Sequence, residues 1–415
     1  MTNPAFLIAF FLTIVRYYDY ALFGLSAEIL STNFLPASEK EHQLLLFFAI
    51  FGVSVIAKPF GSAIFGFISD KYGRIISIKI SVSIAALSTM LLGLTPEFNL
   101  AGIYATIILI FCRMVFLMSL AGESDTIKIH VAEKVGAAHK NFANGIVSFC
   151  SQVGVLLAAL AYHFSTELVD IPYLWRVNFL IGGVLGLFII FMRHLFQESE
   201  EFIKYKKRAP LREIKFFDLA KIIKNQLSKF SIALFINGCT GGIYHFLIIF
   251  WVIFTGKIAL IIIPYNAKLM NIVLITIYAI MSLLSGFFAD KYHPKRQIII
   301  SLSLGIFAVL ISLCFLDRMF SPVYFAIIGI TLAPFYTVPL QIALQSNFNI
   351  DVRTRMYSLS HSIGGMIFSS TTPFFCTLLW QYFHSLALVI GFFLLLLLIL
   401  TSAVVYLYNG IGLQE

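Results

Sequence analysis

The chain has little charge. Of its 415 residues only 12% are Asp, Glu, Lys or Arg, whereas 60% are hydrophobic. Soluble domains carry roughly 25% charged residues, so the composition excludes an ordinary soluble protein. A membrane-spanning helix needs about 20 mostly apolar residues. Twelve such helices with short loops would use most of the length and leave no room for a large soluble domain.

The chain also lacks the usual signs of metal, redox or catalytic chemistry. Its 5 cysteines lie in apolar stretches and form no C-x-x-C pair, so neither a metal site nor a cofactor is predicted. The 9 histidines are scattered, and no H-x-x-x-D, H-E-x-x-H or G-x-S-x-G pattern occurs. A membrane enzyme is therefore disfavoured.

The apolar start of the chain does not resemble a cleaved signal peptide. It has no basic leading region or Ala-x-Ala-like site, and Arg16, Asp19 and Glu28 interrupt it. We expect a retained first helix. The hydropathy pattern predicts an all-α polytopic membrane protein with twelve spans, at roughly 4–30, 44–69, 75–95, 101–122, 142–165, 174–196, 228–255, 268–290, 297–316, 321–346, 356–380 and 385–408.

The placement of the 29 Lys and Arg residues favours this layout. Most of them fall in alternate loops, which the positive-inside rule assigns to the cytoplasm together with both termini. The polar stretch 197–227 is predicted to be a cytoplasmic linker between two six-helix bundles, 1–196 and 228–415. Its basic run fits a position near anionic headgroups, as a topology anchor or as a lipid- or protein-recognition segment. The net charge of +9 is thereby explained without nucleic acid.

A short segment between the second and third spans occurs twice. It reads Gly66-Phe-Ile-Ser-Asp70-Lys71-Tyr-Gly73-Arg74, and a weaker copy reads Gly286-Phe-Phe-Ala-Asp290-Lys291-Tyr-His. A repeat of this kind predicts two homologous halves, an arrangement typical of secondary transporters. Gly66 permits close helix approach, Gly73 a tight turn, and Asp70 can accept from a helix N-terminus or pair with a basic residue. Such contacts would latch the halves in one state and release them in the other.

The first copy resembles the loop signature of the major facilitator superfamily, with one of its two final basic residues missing. The chain is further similar to the metabolite:proton symporter branch, and most of all to its proline/betaine carriers. The segments that carry this resemblance are 17–20, 23–24, 58–61, 122–123, 131–133, 175–176 and 193–198. It implies a twelve-helix transporter of a small solute and protons in a bacterial inner membrane, acting as a monomer.

The chain departs from that pattern at several residues, among them Asp125 and Lys128, which replace small residues, and the change at Arg16 affects the assignment of a substrate. Arg16 stands where the proline/betaine carriers usually have an acidic residue. After Arg113, Phe116, Leu117 and Ala121 replace the usual Gln and glycines.

Charged residues inside the spans are the candidate transport residues, because each costs about 2.5–3.5 kcal/mol to insert unless it faces a cavity or a partner. Arg16 and Asp19 share one helix face. Arg16 could bind a substrate carboxylate, Tyr18 and its neighbours could pack on the rest, and Asp19 could pair or take a proton. The alternative is a closed Arg16–Asp19 pair that serves packing only.

Four further residues have similar alternatives. Arg113 could bind an anion or relay a proton, or form a buried pair with a carboxylate. Glu123, expected near the cytoplasmic end of the fourth helix, could carry a proton or be a hydrated helix-end residue. Tyr244 and His245 could line a substrate or proton path in the seventh span, or be satisfied interior residues.

The leading hypothesis is a proton-coupled symporter of a small polar metabolite, either a proline- or betaine-like zwitterion or a small carboxylate, that works by alternating access. A proton-independent exchanger or uniporter of an anionic metabolite is the first alternative. A receptor or scaffold that has lost transport is the second.

Overall fold

The computed structural model describes residues 4–36, 47, 50, 52–167, 173–191, 198, 202–204, 218–255, 267–316 and 322–410. This part of the chain is helical, with no strand. Most of the predicted linker 197–227 lies outside the described residues, as do the beginning of the second predicted span and the end of the sixth.

The helices are numbered in chain order. They are α1 (Pro4–Leu25), α2 (Ala27–Phe34), α3 (Ala57–Tyr72), α4 (Arg74–Leu94), α5 (Ile103–Val135), α6 (Lys140–Glu167), α7 (Leu174–Phe191), α8 (Leu219–Asn225), α9 (Leu227–Tyr244), α10 (Ala267–Lys291), α11 (Pro294–Cys314), α12 (Pro322–Ser346), α13 (Arg353–Gly364), α14 (Thr372–Phe383) and α15 (Leu386–Gly410). Short π-helical segments continue α9 over His245–Phe250 and α13 over Gly365–Ser369.

The lengths of these helices suit a membrane. Among the described residues, 11 helical stretches are long and apolar enough to cross a bilayer, and a shorter apolar helix covers Leu174–Ile189. Many large apolar side chains on them are exposed, such as Phe60, Phe111 and Phe307. Exposed apolar surface of this extent is expected where helices face lipid. The helical, polytopic class predicted from the sequence is confirmed.

The chain divides into two units that exchange short segments of sequence. The first comprises Met1–Lys134, Cys150–Arg212 and Ile350–Leu359, and the second comprises Val135–Phe149, Glu213–Asn349 and Ser360–Glu415. Two helices are divided between the units: α6 begins in the second unit and continues in the first, and α13 begins in the first unit and continues in the second.

In the first unit, α7 packs along α4 and α1. An aromatic cluster fills its core, where the ring of Trp175 lies 5.8 Å from Phe34 and 6.1 Å from Phe179. In the second unit, α12 packs on α10 and α11, and α9 packs on α15. There the ring of Phe246 lies 4.7 Å from Phe393, and Trp251 lies 4.8 Å from Phe325.

The sequence prediction places the end of the fourth span too early. It was expected to stop near residue 122, but α5 continues to Val135. The extension is polar in sequence yet buried: Asp125, Thr126 and His130 are each at most 2% exposed. Because these side chains are buried, the helix can continue past the point where its hydropathy falls. Glu123 therefore lies well inside α5, not near its end.

Candidate functional site

Three buried charged residues on α1 and α5 form a cluster in the first unit. Arg16 Nη1 lies 3.2 Å from Asp19 Oδ2, and Arg16 Nε lies 3.7 Å from Glu123 Oε1. The residues are 1%, 3% and 0% exposed, respectively. One guanidinium thus lies between two carboxylates in an interior where unbalanced charge is costly. The closed Arg16–Asp19 pair considered from the sequence is present, with Glu123 as an additional partner.

Two glycines of α7 make room for this charge cluster. A Cβ at Gly186 would collide with Arg16 Nη2, and one at Gly182 would collide with Asp19 Oδ1. The two positions are four residues apart and so share one helix face. Sequence reasoning missed them. The signal was the Gly182-Gly183-x-x-Gly186 spacing in an otherwise bulky apolar helix, but this spacing does not reveal which residues it faces.

A small cavity lies beside Asp19 and Arg113. Its lining is Asp19, Phe23, Ser88, Thr89, Leu92, Cys112, Arg113, Phe116 and Phe179. The guanidinium carbon of Arg113 lies 4.2 Å from the ring centre of Phe23, 5.3 Å from Tyr20 and 5.7 Å from Phe116. Arg113 is thus held among aromatic faces in the wall of this cavity. The aromatic residues that line this cavity are Phe23, Phe116 and Phe179.

Tyr18 is anchored by a helix contact. Its hydroxyl donates to the backbone carbonyl of Asn178 on α7 at 3.2 Å. Tyr18 is half-buried and does not line the cavity beside Asp19. In this conformation it fixes α1 to α7 more than it offers its hydroxyl group to a solute.

The two candidate residues of the second unit lie where the π-helical segment begins. His245 Nδ1 lies 2.8 Å from the backbone oxygen of Ser369, the last residue of the other π-helical segment. Since a carbonyl only accepts, Nδ1 is the protonated nitrogen in this contact. The ring of Tyr244 packs edge-on against Tyr278 at 5.2 Å. π-Helical segments occur often at functional sites, and here two of them meet.

The first copy of the duplicated segment binds a helix start. Asp70 Oδ1 accepts from the backbone N–H of Thr354 at 3.2 Å, and Asp70 Oδ2 accepts from that of Arg355 at 3.0 Å. Both donors belong to the first turn of α13, where free N–H groups and the helix dipole favour an anion. Gly66 lies against the backbone of Arg355, where a Cβ would approach Cα to 2.8 Å.

The second copy repeats this geometry within the second unit. Asp290 Oδ1 accepts from the backbone N–H of Asn141 at 3.0 Å, and Oδ2 accepts from that of Phe142 at 2.8 Å, at the beginning of α6. Gly286 lies against the same two residues. The two segments thus share a structure, a glycine contact followed by an aspartate at a helix N-terminus, as well as a sequence.

The first copy has a charge network that extends beyond its aspartate. Arg74 donates to Asp70 Oδ1 at 2.9 Å and to Glu133 Oε1 at 3.1 Å, and Arg353 donates to the same Glu133 oxygen at 2.9 Å. Gly73 has φ +121°, a conformation that favours glycine. Lys71 and Lys291 are both exposed, and each lies near the aromatic side chain next to it.

The predicted site residues therefore fall into separate groups. Arg16, Asp19, Glu123 and Arg113 meet in the first unit, and Tyr244 and His245 lie in the second. Within the part of the chain that the structure describes, no group of three or more His, Cys, Asp and Glu side chains is arranged to hold a metal ion.

Comparisons with known proteins agree with this architecture. The family model described as Major Facilitator Superfamily matches residues 9–360. A protein of Staphylococcus aureus (strain COL) that carries the provisional name of proline/betaine transporter is 25% identical over 413 residues, covering 94% of this chain and 86% of its own. The citrate-proton symporter of Klebsiella pneumoniae is 24% identical, covering 88% and 82% of the two chains.

Solved structures share the fold. The proton:xylose symporter XylE, bound to a brominated glucose analogue, matches with a TM-score of 0.76 at 16% identity, covering 98% of this chain and 95% of the other. The human organic anion transporter MFSD10 matches with a TM-score of 0.66 at 13% identity, covering 96% and 100%. At such identities the likeness establishes the fold only.

Membrane-length helices, buried charges within them and a duplicated glycine–aspartate element define a polytopic membrane transporter. The chain belongs to the Major Facilitator Superfamily, whose model matches most of its length.

Proposed function

We propose that the protein is a proton-coupled symporter of a small polar metabolite, either a zwitterion of the proline or betaine kind or a small carboxylate. The observation that carries this proposal is the buried Arg16–Asp19–Glu123 cluster next to the cavity at Arg113. Charges at such depth persist where they bind a solute or an ion. Relatives named for proline/betaine transport and for citrate–proton symport support the solute class and the coupling.

The cluster suggests a division of roles. Arg113 lines the cavity and Arg16 does not, so we assign Arg113 to receive a substrate carboxylate. Asp19 lies both in the cluster and in the cavity lining, so it links the two. Since Arg16 can balance only one of its two carboxylate partners, a proton on Asp19 or Glu123 completes the balance and is the transported ion in this proposal. His245 is a second proton candidate.

Alternating access gives the duplicated segments a role. In this proposal the contacts of Asp70 with the beginning of α13, and of Asp290 with the beginning of α6, form in one state and break in the other. Each contact joins segments from different halves of the sequence, 1–196 and 228–415, with 197–227 as the linker between them. The protein would act as a monomer in a bacterial inner membrane, with cytoplasmic termini.

One observation favours a second candidate, a proton-independent exchanger or uniporter of an anionic metabolite. Arg16 is a permanent cation within the cluster and could replace the charge that a proton supplies elsewhere.

Uptake into proteoliposomes tests both candidates. Radiolabelled proline, betaine, 2-oxoglutarate and citrate are each supplied with and without an inward proton gradient. Accumulation of one solute only with the gradient supports symport. Uptake that does not depend on the gradient but requires solute inside the vesicles supports exchange. If none of these solutes enters under either condition, the proposed substrate class is wrong.

A further inference from the structure

Helix α12 contains two prolines in its interior, Pro334 and Pro339. Proline has no N–H, so the carbonyl four residues earlier loses its usual donor within the helix. For Pro339 that carbonyl belongs to Phe335. In a membrane-spanning helix such a carbonyl needs another donor, since lipid offers none.

The structure supplies that donor from a neighbouring helix. Gln297, in the first turn of α11, donates its Nε2–H to the Phe335 carbonyl oxygen at 3.0 Å. The same Nε2 lies 3.0 Å from Ser285 Oγ and 3.2 Å from the Ser285 carbonyl on α10. Ser285 Oγ in turn donates to the Pro334 carbonyl at 2.8 Å. One amide therefore connects α10, α11 and α12 at the break in the α12 ladder.

We infer that Gln297 substitutes for the missing N–H of Pro339 and thereby sets the position of the end of α12, 340–346. This inference does not depend on the identity of the solute or on proton coupling. Gln297 acts through the Phe335 carbonyl, so it is a positioning residue and not part of a binding site.

A second contact on the same stretch indicates why positioning matters. Asn144, near the beginning of α6, donates to the Val338 carbonyl at 2.9 Å and to Gln341 Oε1 at 3.1 Å. If the contacts of the α6 start break during transport, Asn144 leaves α12. The donor on α11 then remains to satisfy the Phe335 carbonyl, and the end of α12 keeps its shape.

A double-mutant cycle on the full-length purified protein tests the inference. Gln297→Met keeps the side-chain length and removes the donor, and we expect the apparent melting temperature to fall by about 2–4 °C. Pro339→Ala restores the N–H, so Gln297→Met should lower the melting temperature only slightly in that background. Pro334→Ala is the matched control, because it restores a donor to the Ile330 carbonyl instead. In that background Gln297→Met should lower the melting temperature by the full amount.

A cost of Gln297→Met that is equal in the wild-type and Pro339→Ala backgrounds, or rescue by Pro334→Ala as complete as that by Pro339→Ala, would overturn the inference. If the Pro339→Ala protein cannot be produced, the variants Gln297→Lys and Gln297→Glu test the inference instead. The lysine ammonium can donate to the Phe335 carbonyl, whereas an ionised glutamate cannot. Gln297→Lys should therefore have a higher melting temperature than Gln297→Glu. The reverse order contradicts the inference.

Transport kinetics separate positioning from general loss of stability. With radiolabelled proline and citrate as probes, at a temperature where each variant is fully folded, Gln297→Met should lower the maximal uptake rate several-fold while KM changes little. A rise in KM with an unchanged maximal rate would assign Gln297 to solute binding and contradict the positioning role.

Discussion

Asp70 and Arg355 are joined through the backbone: the Asp70 carboxylate accepts the Arg355 N–H at 3.0 Å, in the first turn of α13. Asp290 does the same with Phe142 at 2.8 Å, at the beginning of α6. The duplication seen in the sequence is thus a duplication of one interaction, a carboxylate at a helix N-terminus next to a close glycine contact. The two copies can therefore be tested as a matched pair.

Asp70→Asn and Asp290→Asn should each destabilise the protein. Asparagine keeps one acceptor oxygen but loses the charge, and hydrogen bonds to charged groups contribute about 1.5–3 kcal/mol. Asp70→Asn should cost more than Asp290→Asn, because Asp70 also pairs with Arg74 at 2.9 Å. Thermal melting in detergent measures both, and Lys71→Gln, at an exposed neighbouring position, should be near neutral. If all three variants have the melting temperature of the wild type, the contacts at the helix starts contribute nothing to stability.

Arg16→Met should destabilise the protein strongly and abolish uptake. It leaves Asp19 and Glu123 buried without their shared cation, and breaking a buried ion pair from one side typically costs about 3–5 kcal/mol. Adding Asp19→Asn and Glu123→Gln to Arg16→Met removes the charges altogether and should recover much of the melting temperature without recovering uptake. If the triple variant melts no higher than Arg16→Met, the three charges do not form one cluster.

Gly186→Ala and Gly182→Ala should both reduce transport. Each new methyl group would collide with a charged side chain, Arg16 for Gly186 and Asp19 for Gly182. Gly391→Ala on α15 is the matched control, since a Cβ at that position would have no neighbouring atom within 4 Å. There alanine should be neutral or stabilising by up to about 1 kcal/mol. Initial uptake rates and melting curves are measured for all three variants. Normal uptake by Gly186→Ala would show that α7 does not contribute to the site.

The sequence predicted much of the fold, because hydropathy and the positive-inside bias report directly on which segments cross a membrane. It also identified Asp70 as a residue suited to a helix N-terminus. It could not reveal that Glu123 joins Arg16, because that contact depends on how α1 and α5 pack, and the polar sequence after residue 122 suggested a helix end. The roles of Gly186 and Gln297 were missed for the same reason. Each is defined by an atom on another helix, Arg16 Nη2 in one case and the Phe335 carbonyl in the other.

The measurement that tests the proposed coupling most directly follows protons and solute together. Proteoliposomes enclosing a pH-sensitive dye are given the solute that the uptake experiment identifies, with wild type compared with Glu123→Gln. The account predicts that solute acidifies the lumen of wild-type vesicles. If Glu123 carries the proton, Glu123→Gln vesicles should exchange solute without acidification, because the amide cannot carry it, whereas unchanged acidification would assign the proton to Asp19 or His245. Solute accumulation by wild type with no proton movement would contradict the account.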